Sequence, residues 1–324
     1  MESVEGIEKI KITKVEKTKK RKTKKGITAV PFLLPAMISI FVLSFLPVIY
    51  TIYIAFTDYT QYSKGVINFV GFANFVEVFK GPFSQVFFPV FLWTCVYAVI
   101  TTIGGFLLGL FMAILVNNED IRERGIYKAI LVIPWALPGV VAVLSFQGLF
   151  NGSYGAINNL LISMKFISTP IPWLTNPSYS QIVVSVVTIW LGFPYMMNVS
   201  LGALQAIPKS YYEAADVDGA SKFTQFWKIT LPSIGQTAYP LVISSFAFNF
   251  NNFGTAFLIT NGAPARAGSQ FAGYTDILAS VNYRLSMTFG RYEIASTISI
   301  IIFILLGTIS FIQMKASGQF EEVN

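Results

Sequence analysis

The 324-residue sequence is 54% hydrophobic and only 12% charged, with a formal net charge of +7. This balance indicates a membrane protein and excludes an average soluble domain, which has a smaller apolar share and a larger charged one. The single cysteine, Cys95, excludes an intrachain disulfide. The absence of histidine removes the usual metal ligand and acid–base group, and the phosphate-binding pattern of Gly, four residues and Gly-Lys-Ser/Thr is also absent. We therefore expect neither a catalytic site, nor a metal site, nor an ATPase site in this chain.

Long apolar runs predict an all-α polytopic fold with about six transmembrane helices, since about 20 apolar residues are needed to cross the hydrocarbon. None of the runs has an acidic or basic residue in its central part. The predicted transmembrane domain, 29–315, follows a basic tail, 1–28, and precedes a short tail, 316–324. The predicted spans are 29–56, 86–116, 129–150, 181–204, 236–260 and 292–314.

The distribution of Lys and Arg predicts the orientation of the spans, because these residues are retained on the cytoplasmic side. The tail carries ten of them between Lys9 and Lys25. With both termini in the cytoplasm, 17 of the 23 Lys and Arg residues lie inside and six outside. We interpret the tail as a solvated charge run that sets topology, and a lipid-binding or nucleic-acid-binding arm as the weaker alternative. The predicted location is the cell (inner, cytoplasmic) membrane, in contact with lipid and without a nucleic-acid partner.

The longest internal cytoplasmic segment, 205–235, is polar and lies between two apolar spans. Ser210 precedes Glu213 by three residues, which is the pattern of a capping box and predicts a short helix that begins near Tyr211. Gly219 can adopt the left-handed conformation that ends such a helix. The alanines between them have short side chains, so a soluble partner could approach the helix closely. An ordinary amphipathic connection is the alternative.

This segment resembles the EAA loop of binding-protein-dependent ATP-binding-cassette (ABC) importer permeases. The resemblance implies a type I permease fold whose loop helix docks in a cytoplasmic ATPase and transmits its ATP-dependent closure to the membrane helices. The partner ATPase would use ATP and Mg, and this chain would bind no cofactor. Pro232 is expected to mark the return to the membrane, because the residue before a proline disfavours helix. The residues that carry the resemblance, and that are expected to couple to the ATPase, are Glu213, Ala214, Ala215, Asp218, Gly219, Ala220, Leu231 and Pro232.

A cluster of polar side chains interrupts the fifth predicted span, where amides and hydroxyls alternate with phenyl rings. Ser245, Asn249 and Asn252 have i, i+4, i+7 spacing and are predicted to share one helix face. Such groups suit a neutral polyhydroxylated ligand, and aromatic faces suit a sugar ring. The lack of charge at this depth argues against ions, acidic metabolites and proton relays. Hydrogen bonding between helices is the alternative function of these amides.

A second candidate site lies in the fourth predicted span. Gly192 and Pro194 are expected to interrupt the helix at membrane depth and expose backbone groups to a ligand. Tyr195 could both stack and hydrogen-bond. A simple kink between packed helices is the alternative. Kinks or close packing are also the expected functions of Pro134, Pro138, Gly105 and Gly109.

These two stretches, with the turn at 260–264 and the segment 272–276, are similar to the larger permease subunit of maltose/maltodextrin importers. The similarity covers most of 68–315. The enteric members carry two additional amino-terminal helices and an external domain that 57–85, a short loop, does not match. A further family position, an amide, falls on Thr188. The positions that match the sugar-binding residues of that subunit are Leu191, Gly192, Tyr195, Ser245, Asn249 and Asn252, with Thr188 at the departing position.

The sequence therefore predicts a permease subunit that imports maltose, maltodextrin or a similar oligosaccharide by alternating access. Its expected partners are a second permease subunit, two copies of an ABC ATPase and an extracellular or periplasmic sugar-binding protein. A permease for another sugar or for glycerol phosphate is the nearest alternative. An ion-coupled secondary transporter would need an intramembrane carboxylate or internal repeats, and neither is evident. A membrane receptor or scaffold would leave the polar cluster unexplained.

Overall fold

The computed structural model describes residues 25–316, and within this range it leaves undescribed the side chains of 25–30 and of Gln236. Nearly all of the two predicted tails, 1–28 and 316–324, therefore lies outside the described residues. The regular structure of the described part is helical, apart from two isolated β-bridges, so the predicted all-α polytopic fold is confirmed. Two π-helical segments, Phe41–Phe45 and Phe226–Thr230, accompany the α-helices. The α-helices are α1 (Lys25–Ile40), α2 (Leu46–Ala55), α3 (Ala73–Phe79), α4 (Ser84–Asn117), α5 (Arg124–Ala136), α6 (Gly139–Leu149), α7 (Ala156–Ser163), α8 (Pro177–Gln205), α9 (Lys209–Val217), α10 (Lys222–Gln225), α11 (Leu231–Asn251), α12 (Gly254–Thr260), α13 (Leu278–Met287) and α14 (Tyr292–Ala316).

The chain divides into two compact units, residues 1–50 and 51–324. In the described part of the first unit, α1 passes into the π-helical segment and then into the start of α2, with helical backbone angles at both junctions. Pro31 and Pro35 lie inside α1. The second unit contains all the residues of the two candidate sites.

Four helical stretches in the described part are long and apolar enough to cross a membrane: Pro31–Ala55, α4, α8 and α14. The pair α5 and α6 is a fifth candidate if it is counted as one bent span. Helix α11, which carries the polar cluster of the fifth predicted span, is not among these candidates because its amides, hydroxyls and prolines dilute its apolar character.

The third predicted span, 129–150, is broken. Its two helices, α5 and α6, meet at an angle of 91°. Leu137 is extended, with ψ of 144°, and Pro138 follows it. A proline clashes with a helical residue before it, so α5 ends there and α6 begins one residue after the ring. Pro138 is thus a break, whereas we had expected a kink.

The fifth predicted span, 236–260, is also broken. Its first helix, α11, begins at Leu231 and ends at Asn251, and α12 begins at Gly254. Asn252 lies between them in a non-helical conformation, with φ −88° and ψ 93°. Its side-chain Oδ1 accepts a hydrogen bond from the backbone N–H of Gly254 at 3.2 Å, which satisfies a donor at the start of α12.

The fourth predicted span is a single helix, and the expected interruption at Gly192 and Pro194 is wrong. Helix α8 runs from Pro177 to Gln205 with Pro194 inside it. Phe193 and Pro194 are buried. Tertiary packing around α8 therefore overrides the local preference of proline.

Helices α4 and α8 form the most extensively packed pair. A Cβ atom built on Gly109 would lie 2.6 Å from the backbone nitrogen of Met197, so the two backbones are in direct contact. One buried cluster, which includes Leu110, Met197 and Ile234, joins α4 and α8 to the start of α11. Another, which includes Tyr97, joins them to α6 and α12. The segments of α4 and α8 between these two clusters border a cavity.

Candidate functional site

The cavity has a volume of about 700 Å³ and lies among α4, α8, α11, α12 and the break between α5 and α6. That volume falls within the usual range of small-molecule sites. The structure places every predicted substrate-binding residue in its wall. These residues are Thr188, Leu191, Gly192, Tyr195, Ser245, Asn249 and Asn252.

The four predicted residues of the α8 wall lie at i, i+3, i+4 and i+7 and share one helix face, and Met196 lines the cavity beside them. Thr188 begins this face, and Tyr195, whose side chain is exposed, ends it. Gly192 has open space where a Cβ would be, so it widens the cavity. The predicted face therefore forms without the helix interruption that we had expected.

Thr188 occupies the position where the resembling family has an amide, and its hydroxyl already has two partners. It donates to the carbonyl of Val184 at 2.8 Å, and it lies 2.7 Å from the hydroxyl of Tyr97 on α4. Because the hydrogen of Thr188 goes to Val184, Tyr97 is the donor in the second bond. Thr188 therefore has only one acceptor lone pair left for a ligand.

The α11 wall contains Ser245 and Asn249, and Asn252 follows from the break. Asn249 donates from Nδ2 to Oγ1 of Thr102 at 3.0 Å. Asn252 accepts from Gly254, so its amide nitrogen remains for other partners. The three residues reach one cavity, although Asn252 no longer belongs to the helix that carries the other two.

Sequence reasoning missed the contribution of α4. Thr101 and Thr102 line the cavity, as does Gly105, where a Cβ would meet open space. We had expected Gly105 to serve helix packing, which in this part of α4 is the function of Gly109. Two adjacent hydroxyls in an apolar span were the available signal, because polar groups in spans mark cavities or helix contacts.

The break between α5 and α6 supplies a further wall that the prediction of an unbroken span had hidden. Trp135, one residue before the end of α5, lines the cavity, and its ring lies 6.3 Å from that of Tyr195 at an interplanar angle of 46°. Gly139 and Val140 follow the break. Two aromatic rings at this corner offer apolar faces to a bound molecule.

The described residues that line the cavity include no charged side chain. Their polar groups are hydroxyls and side-chain amides, which can donate and accept hydrogen bonds without a net charge. The cavity is therefore suited to a neutral hydroxylated molecule rather than to an ion.

The second candidate site is the loop helix, defined here as α9 with its C-terminal turn, residues 209–220. It begins at Lys209, before the predicted start near Tyr211, and its N-cap is Pro208, which makes no side-chain capping bond. The predicted capping box is therefore wrong. Ser210 already lies inside the helix, where it no longer occupies the N-cap position from which a hydroxyl satisfies the first amides.

The end of the loop helix is as predicted. Gly219 has φ of +73°, and the backbone N–H of Ala220 donates to the carbonyl of Ala215 at 2.9 Å. The N–H of Gly219 donates to the carbonyl of Asp216 at 3.1 Å. These two bonds form a Schellman motif, which satisfies the last carbonyls of the helix. Glu213 and Ala214 are exposed in the helix, and Asp218 is exposed at its C-cap.

A half-buried contact and two ion pairs hold the loop helix. The hydroxyls of Tyr212 and Thr230 lie 2.8 Å apart, and Tyr212 also packs against the buried cluster around Leu110. Lys222 forms an ion pair with Asp216 at 3.0 Å. Lys209, the first residue of α9, forms the other at 3.1 Å with Glu119 in the loop between α4 and α5.

The two ion pairs both lower the pKa of their acidic partner. The hydrogen bond from Lys222 is the main cause that lowers the pKa of Asp216, and the hydrogen bond from Lys209 is the main cause that lowers the pKa of Glu119. Both carboxylates are exposed, so solvent screens the pairs and each contributes little to stability.

Pro232 does not end the helical conformation, and the expected stop before it is wrong. Helix α10, the π-helical segment Phe226–Thr230 and α11 follow one another without a gap. Leu231, at the junction, has helical angles and packs against the buried cluster around Leu110. Pro232 lies in the first turn of α11, directly after the π-helical segment, and has no backbone N–H to donate to the preceding turn.

The all-α membrane fold encloses an uncharged cavity and presents an exposed loop helix. Residues 105–320 match the model of the family described as the binding-protein-dependent transport system inner membrane component. The chain belongs to this family and is a multi-pass protein of the cell (inner) membrane. Its members are transport components rather than enzymes.

Two relatives show which members resemble the chain. It is 40% identical over 258 residues to the galactooligosaccharides transport system permease protein GanP of Bacillus subtilis. The matched region covers 79% of this chain and 61% of the relative. It is also 40% identical over 253 residues to the maltose/maltodextrin transport system permease protein MalF of Klebsiella aerogenes, with 76% of this chain and 49% of the relative covered. The chain thus spans between half and three fifths of the length of these relatives.

A solved structure shares the fold. A bacterial ABC transporter involved in the import of the acidic polysaccharide alginate superposes with a TM-score of 0.75 at 23% identity, covering 91% of this chain and 96% of that one. At this identity the similarity establishes the architecture and carries no information about the ligand.

Proposed function

We propose that this chain is the sugar-translocating permease subunit of an ABC importer, and that its cargo is maltose, a maltodextrin or a similar neutral oligosaccharide. The observation that carries the proposal is the uncharged cavity, which gathers all seven predicted sugar-binding residues from α8, α11 and the Asn252 break. The relatives that transport galactooligosaccharides and maltodextrins support this class of cargo.

The chemistry of the cavity favours a neutral sugar over a charged one. A pyranose presents hydroxyls around its rim and an apolar face, which match amides and hydroxyls on α8 and α11 and the rings of Tyr195 and Trp135. A glycerol phosphate or an acidic sugar would call for a cation in the wall. The described lining offers none.

The loop helix supports a separate source of energy. Its surface around Glu213 and Ala214 is exposed and includes short alanine side chains, which suits insertion into a groove of a cytoplasmic ATPase. Its half-buried contact, Tyr212 with Thr230, would transmit movement into α11, which continues from the same helical stretch to Asn249 in the cavity. ATP and Mg would bind to that ATPase, and this chain would bind no cofactor.

The proposed assembly contains this chain, a second permease subunit, two copies of the ATPase and an extracellular or periplasmic sugar-binding protein. Closure of the ATPases would move the loop helix and expose the cavity alternately to the two sides of the membrane. The coupling residues would be Glu213, Ala214, Ala215, Asp218, Gly219, Ala220, Leu231 and Pro232.

The test is sugar uptake by the complete complex in proteoliposomes, with ATP hydrolysis measured in parallel. The panel contains maltose, maltotriose, longer maltodextrins, a galactooligosaccharide and glycerol phosphate. We expect ATP-dependent uptake of at least one neutral oligosaccharide and none of glycerol phosphate. Uptake without ATP, or uptake of glycerol phosphate alone, would contradict the proposal.

A galactooligosaccharide is the second candidate cargo because GanP is as similar to this chain as MalF is. The two cargoes differ in the stereochemistry of hydroxyls, which the cavity would distinguish by hydrogen-bond direction rather than by charge. Competition between maltotriose and a galactotriose for uptake would rank them directly.

A further inference from the structure

The hydrogen bond between α4 and α11 joins residues that are 147 positions apart in the sequence. Thr102 is 4% exposed, and its Oγ1 accepts from Nδ2 of Asn249 at 3.0 Å. Both residues line the cavity. Thr102 was not among the residues that the sequence identified as candidates.

In this bond the amide nitrogen of Asn249 faces the hydroxyl of Thr102. A side-chain amide donates from its nitrogen and accepts at its oxygen, so a nitrogen held by Thr102 leaves Oδ1 as the acceptor for a ligand. Asn252 is held in the opposite sense, because its Oδ1 accepts from the backbone N–H of Gly254. The two amides thus offer an acceptor and a donor, which together match a sugar hydroxyl that both donates and accepts.

The neighbouring threonine makes a different kind of bond. Thr101 also lines the cavity, but its hydroxyl donates at 2.7 Å to the carbonyl of Tyr97 in its own helix. Thr94, Thr188 and Thr308 also donate to a carbonyl four residues earlier in their own helices. Thr102 instead bonds across to a side chain that is itself a candidate for sugar binding.

We propose that Thr102 is a positioning residue of the cavity, whose hydroxyl orients the Asn249 amide so that its oxygen accepts a hydrogen bond from the transported sugar. The inference rests on the proposed function and adds a residue that holds the Asn249 amide in place at that site. Thr102 acts through Asn249 and need not touch the sugar.

The experiment compares Thr102→Val, Thr102→Ser and the control Thr308→Val in the complete complex, with maltotriose as the probe. Thr308 is an exposed control for the loss of a helix hydroxyl, because its hydroxyl donates to the carbonyl of Ile304 in its own helix and it lies outside the cavity. For Thr102→Val we expect about a three- to tenfold loss of maltotriose transported per ATP hydrolysed, the usual effect of one neutral hydrogen bond. ATPase activity stimulated by the binding protein should stay within about twofold of wild type, because the loop helix is untouched. Thr102→Ser should retain transport, and Thr308→Val should match wild type.

A double-mutant cycle separates positioning from packing. In an Asn249→Ala background, Thr102→Val should cause no further loss, since the amide that it orients is gone. An equal loss in both backgrounds, or a parallel loss of ATPase activity, would assign Thr102 a packing role and overturn the inference. Full transport by Thr102→Val beside an active wild type would overturn it as well. A wild-type complex that transports none of the panel sugars would instead contradict the proposed function, and this inference with it.

Discussion

The cavity and the loop helix differ in how far apart in the sequence their residues lie. The loop helix forms from consecutive residues, 209–220, and its C-terminal turn closes through bonds between residues five or fewer positions apart. The cavity gathers residues from six helices and from Asn252 between α11 and α12, and one of its bonds spans 147 positions. Local structure therefore determines the loop helix, whereas helix packing determines the cavity.

The difference also predicts different effects of substitution. A change in the cavity should alter how well sugar is held without altering ATP hydrolysis. A change in the loop helix should alter hydrolysis and uptake together, because both depend on docking of the ATPase. The ratio of sugar transported to ATP hydrolysed distinguishes the two sites.

The largest effect is expected from Gly109→Ala, which tests whether helix packing supports the cavity. The new Cβ would lie 2.6 Å from the backbone nitrogen of Met197, and a backbone atom cannot move aside as a side-chain end can. We expect a loss of about 1–3 kcal/mol in the free energy of unfolding, seen as a lower midpoint of thermal unfolding in detergent. Gly105→Ala, one turn earlier in open space, is the control and should not lower the midpoint, because alanine favours helix more than glycine does. Equal midpoints for the two variants would contradict close packing of α4 on α8.

Gly219→Val is expected to have the next largest effect, and it tests the local turn of the loop helix. At φ of +73° a β-branched residue is strained, at a cost of about 1–2 kcal/mol. Uptake and stimulated ATPase activity should fall together, with the sugar-to-ATP ratio unchanged. Gly219→Asn should retain more of both, since Asn tolerates the left-handed region. Loss of uptake with full ATPase activity would place the defect elsewhere.

The two ends of the loop helix show how much of it the sequence could predict. The left-handed end of the loop helix at Gly219 follows from a local pattern, and the structure confirms it. The start of that helix does not follow from the Ser210 and Glu213 pattern, because Pro208 takes the N-cap position first. Short-range patterns predict an element well and its boundary less well.

The polar cluster on α11 was visible from the sequence because it interrupts an apolar run. Its partner Thr102 was not visible, since the periodicity of one span does not tell which other helix faces it. The effects of proline were likewise set by packing. Pro138 breaks its span, while Pro194 stays inside α8, although both lie in apolar runs with glycine nearby.

Tyr195→Phe is expected to have a smaller effect, and it separates hydrogen bonding from stacking in the cavity. The ring remains beside Trp135 and only the hydroxyl is lost. We expect about a three- to tenfold lower sugar-to-ATP ratio if that hydroxyl bonds the cargo, whereas Tyr195→Leu should lose more because it also removes the stacking face. Tyr239→Phe, an exposed tyrosine of α11 outside the cavity, is the control. Equal ratios for Tyr195→Phe and Tyr195→Leu would assign the whole contribution to the hydroxyl.

The smallest effect is expected from Asp216→Asn, which removes one ion pair of the loop helix. Lys222 lowers the pKa of Asp216, so the pair contributes at any pH above the ordinary carboxyl value and is lost only as the pH falls through the lowered pKa of the folded state. Both side chains are exposed, so screening keeps the contribution small. Stimulated ATPase activity should therefore fall by less than about twofold, and its pH profile between roughly 5 and 8 should keep its shape. A profile that changes shape in this range would mean that Asp216 titrates there, and that the loop helix is held by this carboxylate more than by the half-buried contact of Tyr212 with Thr230.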